Sequence, residues 1–340
     1  MKILFYQDLP SINSTLLTWT LCEELRLLGH TIHYGKQPLL SRYDWVHGAG
    51  IDSWEAVNMA IKIGAKCHIH LEGVAYWRMG ADNAIDWGYD RNHSIEEIKA
   101  FRKHYKSWMS AAYRADSCSV NGVNQVKTIE ENLFDSKRLP NCHIISCGAD
   151  ARYALTLPDM ERKNYMVTVS RLEPNKKVFM IAEALALLKK QGNIDIPLWV
   201  IVGYGTVEQM QKLYDITQKA GLKIGIMPCF GAEKWYLVKR AKLMLCGWMG
   251  IPPAEGLLCD VPVLSFDHPD IVEMYGDSIF WAKDNDIGEY VNMIYNLLYL
   301  KTDANIIKKT IDGKAQLLNG ELYACTQKQL AKIYEEKIFI

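Results

Sequence analysis

The chain alternates short apolar runs with amphipathic stretches from its first residues onward. Ile3–Tyr6 is a continuous apolar run and reads as a buried strand. Asp8–Ser14 is rich in turn and cap residues. Leu17, Leu21, Leu25 and Leu28 then recur at helical spacing over Thr15–Leu28 and stop at Gly29, a residue suited to ending a helix. Thr31–Tyr34, Trp45–His47 and Cys67–Leu71 are further strand candidates, with a helix over Ser53–Ile63. Strands alternating with helices predict a parallel sheet whose ligands gather at the strand C-termini. Ser94–Arg114 patterns as a helix carrying Lys99, Arg102, Lys103, His104, Lys106 and Arg114, with Glu96 and Glu97 diluting the charge. A solvated helix face accounts for it better than an anion-binding surface.

The same alternation starts again after Pro158. Asp159–Asn164 is a polar linker. The strands predicted beyond it are Tyr165–Ser170, Leu198–Val202, Lys223–Met227, Lys242–Cys246 and Val261–Phe266, with helices over Lys176–Lys190 and Glu208–Ala220. Two α/β halves of similar size predict facing Rossmann-like domains with a cleft between them. The tail from Asn319 to Ile340 is amphipathic and reads as a closing helix.

Composition narrows the partners. A chain of 340 residues is long enough for two domains. Lys plus Arg equals Asp plus Glu at 39 each, so no global basic field argues for nucleic acid. The nine cysteines are scattered without a CxxC pair, which fits reduced thiols in a cytoplasmic protein. The apolar run at Ile3–Tyr6 is too short for a secretory h-region, and no run approaches the roughly 18 apolar residues of a membrane span. The expectation is a protein that is soluble or peripheral to the membrane.

Two segments carry candidate chemistry. In Ser170-Arg171-Leu172-Glu173-Pro174-Asn175-Lys176-Lys177 a strand ends, the chain turns and a helix starts, so Arg171 and Lys176 flank a helix N-terminus as a diphosphate clamp would. Surface charge beside a turn explains the same residues equally well. In Gly250-Ile251-Pro252-Pro253-Ala254-Glu255-Gly256 the glycine permits close backbone approach and the prolines pre-set a first helical turn. Glu255 is then placed to accept hydrogen bonds from ribose hydroxyls, or simply to favour a helix start, and the free N–H groups of that turn face phosphate. His68-Ile69-His70-Leu71-Glu72 sets three possible metal ligands on one strand face. No second ligand cluster accompanies them, so a packed or substrate-facing histidine is the preferred reading and a metal-dependent hydrolase the lesser alternative. Gly203-Tyr204-Gly205 lacks the third glycine of a dinucleotide fingerprint, because residue 208 is Glu208. The GxSxG nucleophile elbow is absent.

Taken together, Ser170–Lys176, Leu198–Gly205, Cys229-Phe230-Gly231, Gly250–Glu255 and Pro262-Val263 resemble glycosyltransferase family 4 (glycosyl transferases group 1) in order and spacing. Arg114-Ala115-Asp116 and Ile144–Asp150 resemble that family's exit from its first domain. The resemblance implies an α/β chain of GT-B fold: an acceptor-binding domain over residues 1–158, a nucleotide-sugar-binding domain over 159–318, and a C-terminal helix over 319–340 that packs back on the first domain. It implies a retaining, metal-independent transfer of a sugar from a UDP- or GDP-sugar donor to a hydroxyl acceptor, with no cofactor. Arg171 and Lys176 would clamp the diphosphate and Glu255 would hold the ribose. Gly203, Phe230 and Gly231 would lie near the base, with Gly250 and Ile251 beside the donor. His70 would touch the transferred sugar, and the Ser11–Ser14 loop, through Asn13 and Ser14, would approach the reaction centre together with Glu72.

One departure from the family pattern stands out. A second glutamate, eight positions before the one matched by Glu255, usually contacts the sugar hydroxyls, and here that position is Gly247. Asp267 and Asp270 either replace that contact or, in the preferred reading for Asp270, cap the following helix. A catalytically silent sugar-nucleotide binder or scaffold subunit of the same fold is the alternative that Gly247 raises. The acceptor stays open among glycan, lipid-linked and small-molecule classes, as does a peripheral membrane contact; the aromatic segment from Trp77 to Arg91 is a candidate for lining its site.

Overall fold

The computed structural model describes every residue except 7–11, 41, 50–52, 72–109, 134–137, 147, 174–175, 193, 249 and 301–302; side chains at 12–19, 128, 131–133, 192 and 303 are also outside the description. The chain divides into two compact units, Met1–Gly148 with Gln327–Ile340, and Ala149–Thr326.

The first unit contains β1 (Lys2–Tyr6), α1 (Ile12–Leu27), β2 (Thr31–Tyr34), β3 (Trp45–Ala49), α2 (Ser53–Ile63), β4 (Lys66–His70), β5 (Ser117–Val120), α3 (Val123–Leu133) and β6 (Cys142–Ile144). Its six-stranded sheet has the order β2-β1-β3-β4-β5-β6, with every pairing parallel. The period-two alternation of strands sorts the side chains. Leu4, Val46, Cys67, Ile69, Cys118 and Val120 join Ala56, Val57 and Ala60 of α2 in one apolar cluster. On the opposite face β3, β4 and β5 set polar side chains side by side: the register aligns His47 with His68, His68 with Ser117, and His70 with Ser119.

A two-residue strand, β7 (Gly148–Ala149), falls where the chain passes from one unit to the next. The second unit then contains α4 (Ala151–Thr156), β8 (Tyr165–Val169), α5 (Val178–Gly192), β9 (Leu198–Val202), α6 (Val207–Lys219), β10 (Ile224–Met227), α7 (Gly231–Lys239), β11 (Leu243–Leu245), α8 (Pro252–Leu258), β12 (Val263–Phe266), α9 (Pro269–Tyr275), β13 (Phe280–Ala282), α10 (Ile287–Tyr295) and α11 (Asp303–Asn319). Its sheet has the order β10-β9-β8-β11-β12-β13 and is parallel throughout. Apolar clusters cover both faces: Val167, Val200 and Val263 with Trp235 and Leu257 on one, and Met166, Ile201 and Leu264 with Ile181 and Tyr290 on the other. Burial on both faces explains why these strands read as unbroken apolar runs.

The division between units falls earlier and later than Pro158 and Leu318. Asp150 caps α4 by accepting from the Arg152 N–H, and Ala149 and Ala154 pack in the second unit's core. Leu317 of α11 packs there too. The tail is not one helix from Asn319 onward. After α11 the chain turns at Gly320, which has φ +74°, and pairs β14 (Cys325–Thr326) with β7. It then forms α12 (Gln327–Ile333) and a π-helical turn over Tyr334–Ile338. Asp270 does not cap α9. His268 holds that position and its Nδ1 accepts from the Asp270 N–H at 3.4 Å, while Asp267 Oδ1 accepts from the Asp284 N–H at 2.5 Å.

Candidate active site

The strand order of the second sheet reverses between β8 and β11: β9 and β10 lie to one side and β12 and β13 to the other. Loops leaving the C-terminal ends of two such strands diverge and leave a crevice, the usual ligand position in a doubly wound sheet. Arg171 and Lys176 follow β8, and Gly250–Glu255 follow β11. Gly203 follows β9, and Phe230 and Gly231 follow β10. All the second-unit candidates therefore share one edge of one sheet.

Gly203 has a steric duty there. A Cβ on it would meet Ser170 O at 1.8 Å, so only glycine lets the Ser170–Arg171 backbone lie against the end of β9. The Leu172 N–H donating to Tyr204 O at 2.9 Å ties the same two loops together. Arg171 is 42% exposed along its side chain and pairs with Glu173 at 2.6 Å. A dianionic ligand would compete with that surface pair, which is weak in water. Lys176 opens the turn into α5, its N–H donating to Glu173 O at 2.9 Å. Phe230 is exposed and precedes α7.

Glu255 is buried at 6% exposure. Its Oε1 accepts from Lys234 Nζ at 2.5 Å, and Oε2 is buried with no protein hydrogen-bond partner. A buried carboxylate oxygen without a donor costs about 1–3 kcal/mol or more, which a donor from a ligand would recover. Lys234 was not singled out by the sequence, because it lies on α7, distant along the chain from its partner. Its signal was a cation in a helix's first turn, where the helix dipole opposes it; Glu255 and the Trp235 ring, 4.6 Å from Nζ, offset that cost. The start of α8 differs from expectation. Pro252 and Pro253 occupy its first two positions, and prolines carry no N–H to aim at a phosphate.

The corner at Gly247 is filled rather than vacant. A Cβ there would meet Lys176 O at 2.3 Å and Lys177 Cβ at 2.8 Å. Lys177 has φ +53° and is buried. Its ammonium pairs with Asp284 and sits 5.1 Å from the Trp248 ring and 5.2 Å from that of Phe266. His268 packs on Trp248 with ring centroids 4.5 Å apart. A cation–carboxylate–indole cluster thus takes the place where the family pattern has a glutamate.

In the first unit His70 ends β4, buried, with Nδ1 2.8 Å from Ser119 Oγ. His68 has Ser117 Oγ at 2.8 Å from Nδ1 and Ser119 Oγ at 2.9 Å from Nε2. Burial holds His68 well below the ordinary imidazole range, reinforced by His47 and His70. His47 is lowered to about 3, first by burial and then by His70. Asn13 and Ser14 are in α1 rather than in a loop, since the helix begins at Ile12; residues of these types suit helix starts. Their side chains, Glu72, the segment from Trp77 to Arg91 and most of Ser94–Arg114 lie outside the described residues.

Residues 157–312 match the family model described as glycosyl transferases group 1. The match lies within the second unit and takes in all six strands of its sheet. Solved structures extend the likeness to both units. Anabaena HepE in complex with UDP and glucose matches with TM-score 0.70 at 15% identity, over 99% of this chain and 98% of that one. Sucrose-phosphate synthase from Thermosynechococcus elongatus matches with TM-score 0.72 at 12% identity, over 99% and 98%. A mutant of S. aureus TarM, in complex with fondaparinux, alpha-GlcNAc-glycerol and UDP, matches with TM-score 0.63 at 14% identity, over 85% of this chain. The chain spans 54% of that TarM structure's length. No curated protein matches by sequence. The fold is GT-B, built of two Rossmann-like units.

Both ring nitrogens of His68 are hydrogen-bonded to serines, which leaves it no lone pair for an ion. Among the described residues, no helix is long and apolar enough to cross a membrane.

Proposed function

We propose that the chain transfers a sugar from a nucleoside-diphosphate donor, UDP- or GDP-linked, to a hydroxyl acceptor, with retention of anomeric configuration and without a metal. One observation carries the reading: two cations and a buried, half-satisfied carboxylate lie on the segments that leave the C-terminal ends of β8 and β11, the adjacent strands where the order reverses. Arg171 and Lys176 take the diphosphate and Glu255 the ribose. HepE structures with UDP and with UDP-glucose support a donor of this class. The acceptor is a glycan, a lipid-linked glycan or a small molecule, and the protein acts in the cytoplasm, soluble or peripheral to the membrane.

In the proposed step the bond between the anomeric carbon and the β-phosphate oxygen breaks as the acceptor oxygen bonds the same carbon on the same face. The acceptor proton passes to the leaving diphosphate. Arg171 and Lys176 stabilise the charge that grows on that phosphate, so no protein nucleophile is required. His70 contacts the transferred sugar. The test is donor consumption in the presence of EDTA with UDP- and GDP-sugars. Wild-type protein turns over one of them, and Arg171→Ala or Lys176→Ala lowers the rate by about tenfold to a thousandfold. Unchanged rates in both variants remove the clamp. Inactivation by EDTA that zinc reverses removes metal independence.

A further inference from the structure

Lys234 and Glu255 join the starts of α7 and α8, the helices that follow β10 and β11. Their side chains are 20% and 8% exposed, so solvent and salt screen the pair little. We propose that Lys234 is a positioning residue, which holds the Glu255 carboxylate in the one setting from which it accepts the ribose diol of the donor. The proposal rests on the reading above, in which Glu255 takes the ribose.

The polarity of the pair admits no alternative. An ammonium only donates and an ionised carboxylate only accepts, so Lys234 Nζ donates to Oε1, at 2.5 Å. Oε2 is buried and accepts from no protein group. Whatever completes it must bring a donor. The oxygens of a diphosphate diester bring none, whereas a diol brings two. Arg171 and Lys176 follow β8 and Glu255 follows β11, so the cations and the acceptor lie on different segments and sort the two parts of the donor. Lys234 also removes an obstacle, because a lone carboxylate repels a diphosphate brought near it and a neutral pair does not.

The place of the cation is otherwise unfavourable. Lys234 stands in the first turn of α7, where the helix dipole opposes a positive charge. The Trp235 ring, 4.6 Å from Nζ, covers part of the ammonium, and the carboxylate anchors it. If the pair served only to tie α7 to α8, an apolar side chain of similar length would replace Lys234 without changing which nucleotides bind.

The experiment is calorimetric titration of the full-length chain with UDP and GDP, and with the 2′,3′-dideoxy form of whichever binds. Wild-type protein is expected to prefer the ribose form by about tenfold to a hundredfold, the value of hydrogen bonds to a charged group. In Lys234→Met the ribose form weakens to the level of the dideoxy form, whose affinity stays as in wild type. Lys234→Arg, which keeps the ion pair, keeps the preference. A Lys234→Met protein that retains the wild-type preference, or that loses both forms equally while its circular dichroism is native, overturns the proposal and leaves the ribose at Glu255. Lys234→Gln is read in the same way if Lys234→Met does not fold. Wild-type protein that binds neither nucleotide, or binds the ribose and dideoxy forms equally, removes the ribose from Glu255 and the proposal with it.

Discussion

Gly247 changes meaning once its neighbours are known. From sequence it marks a lost glutamate; in the fold it is a contact point for the backbone at Lys176 and Lys177. A side chain there has no room, because the obstacle at 2.3 Å is a main-chain carbonyl and not a movable tip. Gly247→Glu is therefore expected to lower stability by about 2–4 kcal/mol, the scale of overpacking in a well-filled core. It is not expected to restore a sugar contact. Urea unfolding of Gly247→Ala and Gly247→Glu checks this, and a stable, more active Gly247→Glu would contradict it. The same reasoning separates Gly203 from the base: its lack of a side chain serves the Arg171 loop first.

At the scale of elements, β3 and β4 place three histidines on one sheet face, with the serines of β5 beside them. His47 Nε2 is 2.9 Å from the Tyr334 hydroxyl, and its ring stacks on Phe5 at 4.6 Å. Its pKa falls from 6.5 to about 3 on folding, first through burial. The unfolded chain then binds more protons than the folded one between those values. Stability is full above about pH 6.5 and declines as pH falls towards 3, by up to about 1.4 kcal/mol per pH unit for each such group. Melting temperature followed from pH 7.5 to 4.5 is expected to drop, and His47→Gln is expected to flatten the slope. A slope identical to wild type would remove His47 from the account.

For the whole molecule, the last fourteen residues (Gln327–Ile340) complete the first unit although they follow the second in sequence. Tyr334, Ile338 and Phe339 are buried, and the Phe339 ring lies 5.5 Å from that of Trp45. Each large apolar side chain contributes about 1.5–3 kcal/mol when fully buried. Deleting Gln327–Ile340 is expected to destabilise the first unit far more than the second. Hydrogen exchange is expected to show lost protection over Lys2–His70 with Tyr165–Phe266 retained. Equal losses in both would show that the units do not melt separately.

The sequence by itself determined the alternation of strands and helices, the parallel sheets and the motifs at strand ends. These rest on periodicity and on residue types that act locally, as with Ser53–Ile63, whose helix has the bounds the pattern predicts. That Arg171 and Lys176 follow β8, and that Glu255 lies in the first turn of a helix after β11, was legible from the same pattern. Short strands such as Ser117–Val120 were not, since Ser-Cys-Ser-Val alternates small polar and apolar residues without a strong apolar signal. Tertiary structure alone decided that Lys234 meets Glu255, that Lys177 fills the corner at Gly247, and that Ser119 bridges two histidines. Those contacts join residues from separate elements, and spacing along a chain encodes faces of an element, not which faces meet.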